Sequence, residues 1–133
     1  MELELIKKKW EGVQSVWKDG CYFFSLMTIA DELDIKYDLV HFTKFCLNQN
    51  LITADGTIRD AEELLYALTG RRFKRTIVKE LPVMKQNMYS IEKWYNERTG
   101  FTHFRRRFVD TLVDSVTVKE GKLIGYYIFT EVS

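Results

Sequence analysis

The feature that most constrains this chain is a change of hydrophobic period near its middle. Up to Gly70 the apolar residues recur at helical spacing, and from Arg75 onward they fall in short runs rich in β-branched and aromatic residues. A chain that writes its helices first and its strands afterwards is expected to segregate them, with the helices packed on one antiparallel sheet. The expected fold class is therefore α+β, as a single domain over residues 1–133, a length close to the commonest for one core.

Three helices are legible. Phe23, Phe24, Leu26, Met27, Ile29, Ala30 and Leu33 mark the first, with Asp19 and Gly20 just ahead, where a helix start favours small or capping residues. The second runs from Asp38 to about Leu47, with Leu39, Phe42, Phe45 and Cys46 along one side. The third begins near Thr57, whose spacing to Asp60 resembles a capping pair. It turns Ala61, Leu64, Leu65 and Leu68 inward and stops at Gly70. Strands are expected over Arg75–Lys79, Met88–Tyr95, Thr102–Val109, Ser115–Lys119 and Ile124–Thr130. Turns are expected at Asn96–Gly100 and, as a hairpin, at Lys119–Lys122.

Charge and cysteine usage narrow the function classes. Twenty basic and nineteen acidic side chains leave a net charge of +1, which argues against a dedicated nucleic-acid binder. Three consecutive arginines, Arg105 to Arg107, cannot form one stripe on a strand, because successive side chains point to opposite faces; a solvated edge is expected instead. Two cysteines are too few for a disulfide scaffold. The residues Met1 to Lys7 lack the charge order and apolar run of a signal peptide, and no apolar stretch approaches the roughly 20 residues of a membrane span. The expected setting is a reducing cytoplasm, with no membrane contact and both thiols free.

The chemistry-bearing candidates are few. Cys21 follows Gly20 at the first turn of the first apolar helix, where unpaired N–H groups and the dipole favour a thiolate nucleophile. Gln14, a short way upstream, is placed to donate an amide hydrogen bond to a developing oxyanion. His103 opens an expected strand and is the candidate base. Asp110 is the candidate for orienting it, with Asp114 nearby as a turn cap. Cys46 falls on the apolar side of its helix and reads as core. His41 reads as a helix-surface residue, and Asp55-Gly56 as a turn into the third helix. The two histidines and two cysteines match no metal-ligand spacing, so neither zinc nor another cofactor is expected.

The order Gln14, Cys21 opening a helix, then His103 and Asp110 in the strand-rich half resembles the papain-like cysteine peptidase superfamily, in its small members akin to the bacteriocin-processing peptidases. The stretches Gly20–Ser25, Asp55-Gly56, Thr102–Phe104 and Asp110–Lys122 look most like a family of short proteins carried by bacterial phages and plasmids. The resemblance implies a papain-like fold. It also implies a cysteine hydrolase, a peptidase or amidase, that cleaves an amide or isopeptide bond of a peptide or protein substrate with a Cys-His-Asp triad. Three departures stand beside it. Gln14 lies seven positions before Cys21 where the superfamily usually has six, bulky Tyr22 follows the cysteine, and three arginines follow His103-Phe104. They motivate a second expectation, a catalytically silent papain-like domain of a mobile element that binds a host protein.

Overall fold

The computed structural model describes residues 21–53, 57–108, 111–113 and 121–132. Gln14, Asp19-Gly20, Asp55-Gly56, Asp110, Asp114 and the strand expected over Ser115–Lys119 with its hairpin lie outside the described residues. Among those described, three helices, α1 (Cys21–Glu32), α2 (Leu39–Asn48) and α3 (Ala61–Thr69), precede five strands. These are β1 (Phe73–Val78), β2 (Met88–Asn96), β3 (Phe101–Phe108), β4 (Thr111–Val113) and β5 (Lys122–Glu131). The chain is thus α+β, as its change of period predicts.

Helix α1 is buried over most of its surface, which is what an almost uninterrupted apolar run demands. Its two buried hydroxyls are satisfied within the helix: Ser25 Oγ donates to the Cys21 carbonyl at 2.8 Å and Thr28 Oγ1 to that of Ser25 at 2.6 Å. The helix ends as Asp34 takes a left-handed conformation, φ 57°, and the Ile35 N–H closes on the Ala30 carbonyl.

Helix α2 is capped by Asp38, whose carboxylate accepts from the His41 N–H at 2.9 Å. It docks on α1 through Phe42, stacked 6.5 Å from Phe23, and through fully buried Cys46. Phe45 departs from its expected place. It is exposed and rests on Phe42, because so narrow a contact with α1 leaves the flank of the stripe outside.

Helix α3 buries the four residues expected of it and stops at Gly70, φ 74°. Its cap, however, is Asp60, which accepts from the Glu63 N–H at 3.0 Å. Thr57 is held one turn earlier in a small loop, exchanging hydrogen bonds with Thr53 beside an Ile52–Ile58 bridge. The carboxylate nearer the apolar run wins the capping position.

The strands form one antiparallel sheet in the order β1-β5-β2-β3-β4. β4 falls in no expected strand and pairs with the far end of β3. β2 and β3 form a hairpin around the turn expected at Asn96–Gly100, with Glu92 opposite Arg105 and Trp94 opposite His103. β5 lies between β1 and β2, so those two run parallel, and residues 79–87 must carry the chain back along the length of the sheet. Phe73, Tyr89, Ile91 and Phe129 project from one face into the core with α1 and α3. No described helix is long and apolar enough to cross a membrane.

Candidate functional site

Cys21 is the first described residue of α1 and is almost wholly buried, 7% exposed. Its neighbour Tyr22 reaches the sheet, stacking on Phe104 of β3 at 4.6 Å and meeting Tyr127 of β5 edge-on at 5.4 Å. Two cations converge on this aromatic group. Arg75 Nη1 donates to Tyr22 Oη at 3.4 Å with its guanidinium 5.3 Å from the Tyr127 ring. Lys93 Nζ lies 5.6 Å from Tyr127 and 6.0 Å from Phe104. Burial of Tyr22 pushes its phenol up to about 12, with the Arg75 hydrogen bond acting against that rise.

Strand alternation decides where His103 stands. Phe104 and Arg106 face α1: Phe104 meets Tyr22, and Arg106 Nη1 reaches Glu32 at 2.8 Å and Thr28 Oγ1 at 3.5 Å. Arg105 faces the other way. Its guanidinium lies 3.9 Å over the Trp94 ring, and its Nε donates to Glu92 Oε1 at 3.3 Å, which also accepts from Trp94 Nε1 at 3.0 Å. His103 shares the parity of Arg105 and sits directly opposite Trp94 in the β2–β3 register. The sheet therefore turns His103 to the face opposite α1, while Cys21 belongs to the helix on the first face. On the α1 face it is Tyr22, next to Cys21 in sequence, that meets Phe104 and Tyr127, and the strand alternation does not bring His103 to that face. Gln14 and Asp110 lie outside the described residues.

The arginine run corrects an expectation. Arg105 and Arg106 are not a solvated edge but are 9% and 3% exposed, one on each face of the sheet. Each is kept inside by a carboxylate: Glu92 for Arg105, and Glu32 for Arg106, whose Nε also donates to the Ser90 carbonyl at 2.9 Å. Burial pulls the Arg106 guanidinium below its ordinary range, with Glu32 acting against that. No spacing in the sequence announces either pair, since the partners lie 13 or more positions away on other elements.

The remaining candidates fall where their sequence contexts suggest. Cys46 is fully buried, and burial pushes its thiol up to about 12. His41 is exposed in the first turn of α2, its Nδ1 3.4 Å from Asp38. Among the described residues no group of three or more His, Cys, Asp or Glu is placed to hold a metal ion. The aromatic–cation group around Tyr127 was not among the sequence candidates. Its signal was there in outline, since Tyr127 and Phe129 recur with period 2 along β5, but which ring of β3 and which cations join them depends on strand order. Comparison with known proteins finds no similar family, curated protein or solved structure.

Proposed function

We propose that this chain is a binding domain, papain-like by resemblance and carried by a mobile element, that engages a host protein, with Cys21 packing the helix–sheet junction instead of attacking a substrate. The observation that carries this reading is the alternation of β3. Phe104 and Arg106 meet α1, so His103 points from the opposite face and is not presented to the cysteine. The burial of Cys21 supports the same reading, because an attacking thiolate needs an approach for its substrate.

A second reading keeps the hydrolase, and the chain order Gln14, Cys21, His103, Asp110 favours it. In it Cys21 attacks the amide carbonyl as thiolate and His103 carries the proton to the leaving amine. Asp110 orients His103, while Gln14 and the Cys21 N–H hold the oxyanion. It requires His103 to reach the α1 face of the sheet.

Alkylation with iodoacetamide, followed by intact mass on wild type and His103→Ala, separates the two. The binding reading expects slow modification of Cys21 at a rate that His103→Ala leaves unchanged. Rapid, stoichiometric modification of Cys21, slowed many-fold by His103→Ala, would overturn it in favour of the hydrolase.

A further inference from the structure

The outer edge of β1 is the surface on which the observations converge. Among the described residues β1 pairs only with β5, which leaves its other side as an edge of the sheet. The Arg75 N–H points away from β5 and is taken by the carboxylate of Glu62, on α3, at 2.8 Å. By alternation Ile77 directs its backbone N–H the same way, while Thr76 between them serves the ladder to β5. A side-chain carboxylate thus occupies a position that the carbonyl of a neighbouring strand would fill.

The edge also carries a strong local charge. Residues 71–79 contain Arg71, Arg72, Lys74, Arg75 and Lys79 and no acidic residue, in a chain whose net charge is only +1. Arg71 pairs with Glu131 and Arg72 with Glu63, but among the described residues no carboxylate pairs with Lys74 or Lys79. Ile77 stands 61% exposed between them. A second copy of the chain would bring the same cations against themselves, which disfavours edge-to-edge pairing of two copies.

We propose that the β1 edge docks an acidic segment of a partner protein in extended conformation. The segment adds to the sheet as a further strand beside β1. Its carbonyl replaces the Glu62 carboxylate on the Arg75 N–H, its acidic side chains line the face of Lys74, and an apolar side chain covers Ile77 on the other face. Glu62 is the plug that fills the position while the edge is empty. This assignment rests on the reading of the chain as a binding domain and names the surface and partner chemistry for it.

The test uses fluorescein-labelled ten-residue peptides that alternate valine with glutamate, with glutamine or with lysine, read by fluorescence anisotropy on the full chain. The glutamate peptide is expected to bind, more weakly as salt rises, and the lysine peptide is not. Ile77→Pro removes one outward N–H without touching the β5 ladder, and should weaken binding by about five-fold or more, the worth of one backbone hydrogen bond. Glu62→Ala should shift affinity the other way, several-fold tighter, since the plug and its charge are gone. In NMR spectra the Arg75 and Ile77 amides should move most. Failure of the glutamate peptide to bind, equal binding of all three peptides, or binding indifferent to both substitutions would overturn the proposal. The thiol experiment judges the binding reading separately, so an unreactive Cys21 with a silent edge would remove only the edge.

Discussion

The buried pair Arg106–Glu32 offers the sharpest test of how α1 is fastened to the sheet. Arg106 is 3% exposed, ion-paired with Glu32 at 2.8 Å and bonded to the Ser90 carbonyl at 2.9 Å. Arg106→Ala strands a carboxylate and a strand carbonyl and opens a void beneath α1. Removing one partner of a buried pair costs about 3–5 kcal/mol. The Glu32 side chain keeps 30% of its exposure, so water can reach the stranded charge and the lower part of that range, about 3 kcal/mol, is expected. Urea unfolding followed by tryptophan fluorescence measures it. With a slope of about 1.5 kcal/mol per molar, the midpoint should fall by about 2 M. Replacing both partners, as in Arg106→Met with Glu32→Gln, removes the lone charge and should cost much less than the sum of the single changes, with a coupling of about 2 kcal/mol. An Arg106→Ala midpoint within about 0.5 M of wild type, or strictly additive single changes, would refute the view that this pair joins α1 to β3.

Three further outcomes follow from the packing. Cys46, with its thiol pushed up to about 12 by burial, should react with a disulfide reagent only as fast as the protein unfolds globally, which a rate that tracks urea concentration would show. Tyr22 keeps its proton to about 12 in the folded protein against about 10 when unfolded, so its contribution is complete below pH 10 and is lost as pH rises through 10 to 12. That loss is roughly 2–3 kcal/mol, and urea midpoints taken across this window should flatten in Tyr22→Phe. Gly125→Ala would set a methyl 2.9 Å from the Val78 carbonyl oxygen, forcing backbone to move, and should lower stability by about 1–3 kcal/mol in the same urea assay.

Much of this architecture could be read before any coordinates, because the relevant signals are local. The stripe Ala61, Leu64, Leu65, Leu68 closing on Gly70 is α3 as found, since periodicity and a left-handed cap are properties of a dozen neighbouring residues. What escaped depends on which face of a strand meets the helices. The adjacent pair His103-Phe104 held a usable clue: the large apolar ring claims the core, and alternation then sends the histidine away. Arg106 obscured that clue, since a charge with the parity of Phe104 reads as solvent-facing until Glu32 is placed beside it. For the same reason the order of Cys21 and His103 along the chain could be read, whereas their relative facing could not. The Thr57 assignment failed more simply, on two capping residues in competition three positions apart.

The position of β5 has a consequence for how the molecule comes into being. The strand at the centre of the β1-β5-β2 arrangement is the last of the five to be synthesised. Until it emerges from the ribosome, β1 has no partner among the described strands and β2 has β3 alone of them to pair with, while the apolar face meant for α1 and α3 stays partly open. Such a topology concentrates its closing contacts between residues far apart in sequence, which slows folding and prolongs exposure of unpaired edges. Chaperone demand during translation, and sensitivity to truncation within Lys122–Glu131, should therefore exceed what the size of the chain alone would suggest.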